Sequence, residues 1–439
     1  MTTNSPASAN AWRFRLAGWT LMGVITLAIS AALYDPWPAW SAGVLVWLAA
    51  LLLLGSLKGP QRWQVRAMFA CGVLGLSLGL LRGADWLYLR KALEANQTVI
   101  AMLMGVSFLR LVGSTAIDGA DDRPVGKAAL IRTLLGGHLI GSVINMSTIA
   151  IIGDRLSQSG KLSSLQALVI LRGFSTAAFW SPFFAAMGIA LISAPGAQLA
   201  TLVTVGLPAA AAALAITIWQ ISRHPQVDQT LGYPMHLDSL WLPMLLAVLV
   251  MVAHQWWPNI SVLTLVTLIS VLFAPLWVTL RQGRSGVRAT VDHIQLGLSR
   301  LGGEVSLFLA AAVMAAGVAA LLASFNVEVR FEQFGANQAF VVLVIMIGLA
   351  MIGMHPVTTV ALAGSLLMPA IDDPNLLGLV FLMSWSLGVA LSPFSGIQLA
   401  LQSRYGVSAR ALLRLNRWYA PLLLGIDFIA LHAYQLWLA

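Results

Sequence analysis

The sequence predicts an all-α integral membrane fold, with about 11 transmembrane helices and two re-entrant hairpins in two inverted-topology repeats. Three observations predict it: a charge-poor apolar composition, a lopsided placement of Lys and Arg between loops, and self-similarity at one fixed offset. Of 439 residues, 59% are hydrophobic and 9% charged, against roughly 25% charged in soluble domains. In hydrocarbon the backbone must be satisfied within one segment or around a closed barrel. The apolar runs are continuous over about 17–25 residues and do not alternate, so helices are expected over a barrel. The net charge of +9 fits basic cytoplasmic loops beside anionic membrane lipids. No soluble basic domain is present to hold a duplex, so no nucleic-acid partner is expected. Cys71 is the only cysteine, which leaves no internal disulfide and no thiolate metal site.

The elements follow in order. Residues 1–39 form a polar tail and a first helix near 16–34, retained because no cleavage site follows Arg13 and Arg15. Residues 40–219 form the first repeat. Its spans lie near 40–57, 67–83 and 98–117, followed by a hairpin at 132–153, a broken helix at 165–192 and a span at 197–219. A cytoplasmic linker occupies 220–238. The second repeat, 239–437, has spans near 239–256, 260–281 and 304–323, a hairpin at 338–370, a broken helix at 376–401 and a last span at 419–437.

With the N-terminus in the cytoplasm, the groups Lys58/Arg62/Arg66, Arg123/Lys127/Arg132, Arg284/Arg288/Arg300 and Arg404/Arg410/Arg414/Arg417 all fall inside. Asp35, Glu328, Glu332, Asp372 and Asp373 fall outside. This holds only if both interrupted stretches return to the side they entered. The C-terminus is then outside, and the expected location is a cytoplasmic (inner) membrane. Arg90 and Lys91 break the pattern from the outer side, offset by Asp85 and Glu94.

The offset is 211 residues. It pairs Thr148 with Thr359, Ala150 with Ala361, and Ser181-Pro182-Phe183 with Ser392-Pro393-Phe394. Without gaps it also pairs Gly137/Gly348, Gly153/Gly364, Leu156/Leu367, Leu165/Leu376, Leu168/Leu379, Val169/Val380, Leu171/Leu382 and Ser175/Ser386. That is near one identity in four, where composition gives roughly one in twelve. An odd number of crossings separates the copies, so they are expected in opposite orientations. Inverted repeats with discontinuous helices at the midplane are the architecture of secondary transporters. Pro182 and Pro393 each remove a helical hydrogen bond in mid-span. Unwinding there offers carbonyls to a cation and helix N-termini to an anion.

These residues carry a resemblance. His355-Pro356-Val357-Thr358-Thr359 running to Leu366-Leu367-Met368-Pro369, with Asn145-Met146-Ser147-Thr148 as its first-repeat counterpart, resembles the hairpin tips of the ion transporter superfamily. In layout the chain is most like the divalent anion/sodium symporter branch. Ser392-Pro393-Phe394-Ser395-Gly396 is similar to that family's helix break. The second tip has His-Pro where the family carries Asn, and neither break contains Asn. The resemblance implies an elevator mechanism, a homodimeric scaffold and substrate binding at the tips and breaks. The candidate substrate-binding residues are Asn145, Ser147, Thr148, Ser181, His355, Thr358, Thr359, Ser392, Ser395 and Gly396. Asn145, Thr148, Thr359 and His355 are also candidates for a coupling ion, Na+ or H+. The hydroxyls and half-helix ends, with no carboxylate at either tip, point to a small anionic solute.

Arg172 lies inside a span and could attract an anion; snorkelling or pairing with Asp154 is the alternative. His138 is expected to be a satisfied packing residue, and Asp427 to make an interhelical hydrogen bond. Gly75, Gly79 and Gly83 form a small-residue stripe whose partner the sequence leaves open. Gly126-Lys127 lacks the rest of a phosphate loop, and no His-Glu-x-x-His motif or Cys/His cluster occurs. No metal, no further cofactor and no enzymatic activity are therefore expected. The rival reading is a membrane enzyme acting on lipid-linked substrates, of the polysaccharide polymerase or ligase type.

Overall fold

The computed structural model describes residues 11–34, 37–57, 59–113, 124–157, 160–233, 241–326 and 331–438. Asp35, Lys58, Arg123, Glu328, the side chain of Ser147 and linker positions 234–238 lie outside what is described. Among the described residues every regular element is helical, and β pairing is confined to an isolated bridge between Val125 and Leu231. Nine helical stretches among them are long and apolar enough to cross a membrane. The chain is an all-α membrane protein.

In chain order the principal helices are α1 (Ala11–Leu33), α2 (Trp40–Leu53), α3 (Gly59–Leu81), α4 (Leu87–Glu94) and α5 (Gln97–Ser107). There follow α6 (Lys127–Ile144), α7 (Ser147–Leu156), α8 (Ser164–Thr176), α9 (Ala185–Ser193) and α10 (Leu199–Ser222). Next are α11 (Trp241–Trp256), α12 (Val262–Gln282), α13 (Arg284–Asp292), α14 (Gly302–Ser324) and α15 (Ala336–Met351). The last are α16 (Pro356–Leu367), α17 (Pro374–Leu391), α18 (Gly396–Tyr405), α19 (Ala409–Asn416) and α20 (Tyr419–Leu438). They form two compact units, one from residues 1–115 with 248–329, the other from 116–247 with 330–439.

In the first unit one succession occurs twice: a long helix (α3, α12), a short amphipathic helix (α4, α13) and a further apolar helix (α5, α14). α3 packs on α14, and α12 on α5. The small-residue stripe of α3 meets α14 of the same chain. A Cβ on Gly75 would fall 2.6 Å from the carbonyl oxygen of Gly317, and one on Gly317 would fall 2.1 Å from that of Gly72. Two backbones in direct contact are what small residues at one-turn spacing permit. Gly83, expected in the stripe, lies beyond the helix end at φ +95° with open space beside it, so it terminates α3. The misplaced charge at Arg90 is paired with Glu94 at 3.1 Å on exposed α4.

The second unit holds both hairpins (α6–α7 and α15–α16) and both broken helices (α8/α9 and α17/α18). In each copy the first hairpin arm packs on the first half of the following broken helix, α6 on α8 and α15 on α17. The breaks coincide at the offset: α9 opens at Ala185 and α18 at Gly396, 211 residues later. The start of the loop expected as a linker is pinned down. Gly126 N–H donates to Thr230 O at 3.0 Å and Gly232 N–H to Pro124 O at 2.8 Å. Gln166 Nε2 donates to Leu231 O at 3.0 Å.

Candidate functional site

Each hairpin of the second unit turns where the sequence supplies a residue able to reverse the chain. In the first, Asn145 takes φ +53° between α6 and α7, a conformation Asn tolerates better than most residues. In the second, Gly353 takes φ +109° and Pro356 opens α16, a position where its missing N–H costs nothing.

The first tip is stitched to the first helix break. Asn145 Nδ2 donates to Phe183 O at 2.9 Å, and the Ser181 hydroxyl donates to Ser142 O while accepting from Phe183 N–H at 3.2 Å. Pro182 and the irregular backbone at 180–184 free polar groups in mid-span, and these side chains satisfy several of them, as burial demands. Asn145 and Ser181 are thereby committed to backbone partners. Thr148 Oγ1, at the second residue of α7, is buried with no hydrogen-bond partner among the described residues.

The second break is built the same way. Ser392 Oγ accepts from Phe394 N–H at 3.3 Å. Ser395 caps α18, accepting from Gln398 N–H at 3.4 Å and donating to Val389 O at 2.9 Å. In the second tip, His355 caps α16 through Nδ1, 3.2 Å from Val357 N. With Nδ1 accepting, the proton of the neutral ring sits on Nε2. The ring stands edge-on to Trp385 at 6.0 Å between centroids. Thr359 Oγ1 donates to Pro356 O at 3.1 Å in its own helix, and Thr358 is buried beside it.

Tips and breaks converge within the second unit. A Cβ on Gly396 would stand 3.6 Å from Met146 Cε of the first tip, and one on Gly353 3.2 Å from Phe394 Cδ2 of the second break. Elements from both copies therefore meet around the start of α18. Four helices (α7, α9, α16 and α18) begin at these tips and breaks, and each presents N-terminal N–H groups lacking intrahelical partners. Such ends favour an anion or a hydroxyl-rich solute.

Arg172 is placed elsewhere. It is fully buried, with Nε donating to Asn416 Oδ1 at 3.0 Å, Nη2 to Leu415 O at 3.0 Å, and the guanidinium 3.9 Å from the centre of the Tyr419 ring. Its expected alternative partner, Asp154, is instead bonded by Arg404 at 2.6 Å and Tyr405 OH at 2.7 Å. His138 is satisfied on both nitrogens, by Trp180 Nε1 at 3.1 Å and by Thr176 Oγ1 at 2.9 Å. Asp427 departs from expectation: it is fully buried, and neither carboxylate oxygen has a hydrogen-bond partner among the described residues. The sequence reading missed Gln398 and Asn416. Both are buried and both donate to Ala390 O just before the break, at 2.8 and 3.0 Å. The available signal was a long amide two residues into a half-helix, and an Asn on the inward face of amphipathic α19.

No protein-family model matches the chain, and no curated protein does. Among solved structures it is similar to the crystal structure of the Alcanivorax borkumensis YdaH transporter. That likeness has a TM-score of 0.54 at 12% identity and covers 85% of this chain and 98% of the other. The two share a fold.

Proposed function

We propose that this chain is a secondary active transporter that moves a small anionic solute across the cytoplasmic membrane by an elevator motion coupled to H+ or Na+. The observation that carries the reading is the reciprocal seating of the two hairpins. Gly153 of α7 lies against Tyr405 of α18, and Gly364 of α16, its counterpart 211 residues later, lies against Ser193 of α9. Each hairpin thus packs on the second half of the other copy's broken helix. Reciprocal exchange of this kind is what a two-fold axis generates. A two-fold axis lying in the membrane plane relates inverted repeats with the solute site between them.

The division into two units suits the motion. One unit contains both hairpins and both breaks, as a moving body would, and the other has the close-packed α3–α14 contact expected of a scaffold. The shared fold with a transporter and the resemblance to the ion transporter superfamily agree with this, and the latter also suggests a homodimer. Within the site, Thr148, Thr358, Thr359, Ser392, Ser395 and the N–H groups around Gly396 hold the solute. Asn145 and Ser181 hold the backbone that presents it. Ser147 and His355 complete the first and second tips.

Reconstitution into proteoliposomes tests this reading. With a pH or Na+ gradient imposed, a panel of labelled organic anions should include one that accumulates saturably. No accumulation of any anion under either gradient, with saturable uptake of cations, would overturn the anionic assignment. Absence of gradient-driven uptake for every solute class would overturn transport.

A further inference from the structure

The second unit carries a basic cleft away from the hairpin tips, at a point where three spans end. It measures about 500 Å³ and is lined by Ser164 at the start of α8, Gln220 and His224 at the end of α10, and Arg414, Arg417 and Trp418 at the α19–α20 junction. Among the described residues no carboxylate lines it. Neither arginine makes an ion pair among the described residues, and Asp228 lies four residues beyond His224 without lining the cleft. The floor is rigid. Leu415 O accepts from both Gln220 Nε2 at 2.8 Å and buried Arg172 Nη2 at 3.0 Å, while Asn416 bridges Arg172 to Ala390 O. Two exposed guanidiniums with no ion-pair partner among the described residues, standing over such a floor, match the planar, multi-oxygen geometry of a phosphate.

The surroundings argue that the phosphate belongs to a lipid. α19 is amphipathic: Leu412 and Asn416 are buried, and Arg410, Arg414 and Arg417 are exposed. Beside the cleft Trp418 is 65% exposed, and Leu422, one turn further into α20, is 47% exposed. This forms an apolar track leading from the cleft along a membrane span. A soluble anion would leave that track uncovered, whereas an acyl chain would lie along it. Trp at the membrane boundary beside clustered Arg is the setting in which anionic headgroups are held.

We infer that the α8–α10–α19 cleft is a binding site for the headgroup of an anionic phospholipid, with Arg414 and Arg417 on the phosphate and Trp418 and Leu422 along the acyl chain. The site is independent of the transport reading. Native mass spectrometry of the full chain released from detergent tests it, with phosphatidylglycerol or phosphatidylcholine added. Phosphatidylglycerol should be retained about tenfold better, since each basic side chain near a headgroup adds several-fold. Arg414→Gln with Arg417→Gln should abolish that preference. Arg417→Gln alone, at an exposed side chain, should reduce it severalfold, and Arg410→Gln, on the same helix outside the cleft, should leave it intact. Equal retention of the two lipids, or a preference unchanged in both cleft variants, would overturn the site. Displacement of the lipid by millimolar glycerol phosphate would assign the cleft to a soluble anion and overturn the lipid assignment.

Discussion

Gly153 and Tyr405 are in van der Waals contact across the two copies, so close that a Cβ on the glycine would fall 2.5 Å from Cζ of the ring. The reciprocal contact is tighter in kind, because a Cβ on Gly364 would fall 2.5 Å from the backbone oxygen of Ser193, which cannot rotate aside. Gly364→Ala should therefore lower stability by about 1–3 kcal/mol, the usual cost of forcing a carbon into a filled space. Gly348 has nothing within 4 Å of its would-be Cβ. Gly348→Ala should be neutral or stabilising, since Ala is the better helix former. Thermal unfolding of the two purified variants compares them directly.

The hydroxyls at tips and breaks divide into two groups. Ser395 caps α18, so Ser395→Ala should cost about 1 kcal/mol of stability as well as solute affinity. Thr359 donates only to the carbonyl three residues back in its own helix, a bond the helix does not need. Thr359→Val should leave the melting temperature near wild type and weaken affinity roughly ten- to a hundredfold, the worth of one hydrogen bond to a charged ligand. Binding and melting measured on the same samples separate the roles. Unchanged affinity in Thr359→Val removes that residue from the site.

Arg172 is bonded to neutral groups around the α19–α20 junction and not to the tips. Asn416→Ala would leave Arg172 Nε without its partner, while Ala390 O keeps the bond from Gln398. It should destabilise by about 1–3 kcal/mol, the cost of leaving a buried polar group unsatisfied. Solute affinity in the folded fraction should stay within about twofold. A large loss of affinity with intact stability would restore Arg172 as an anion attractor.

Asp427 has no hydrogen-bond partner among the described residues; of the helices that pack against its own, α10, α15 and α17 contain no titratable side chain and α19 carries Arg410 and Arg414. Of the other nearby polar groups, Tyr419 lies two turns away on α20, with Arg172 beyond its ring. An ionised carboxylate left without a partner there would cost several kcal/mol. Asp427→Asn, which keeps the shape and removes the charge option, should fold with stability within about 1 kcal/mol of wild type. A collapse of stability in this variant would mean a charged, paired Asp427.

What was legible in the sequence was local or periodic. Apolar runs marked the helices, and the Ser-Pro pairs marked both breaks, because proline deletes a bond wherever it sits. The partners of these features were not legible. The stripe at Gly75 and Gly79 signalled close packing, but a stripe does not say which helix fills it, and the answer lay more than two hundred residues on at Gly317. Gly83 shared the spacing but served to end the helix. The backbone partners of Asn145 and Ser181 were hidden for a similar reason: polar residues at a break can hold solute or hold backbone, and the sequence does not place Phe183 O and Ser142 O beside them. Arg172 looked like a site because a buried charge is costly; its neutral partners, Thr217, Leu415, Asn416 and the Tyr419 ring, lie on elements far away in sequence.

In the proposed transporter the two copies are inverted and their hairpins open from opposite faces. Lys161 and Asp372 are exposed, occupy the α7–α8 and α16–α17 turns, and are themselves 211 residues apart. In a Cys71→Ser background, Lys161→Cys and Asp372→Cys can each be labelled in intact cells with a membrane-impermeant maleimide, before and after permeabilisation. Asp372→Cys should label from outside in intact cells, and Lys161→Cys should label only once the cytoplasmic face is opened. Labelling of both from the same face would contradict the inversion.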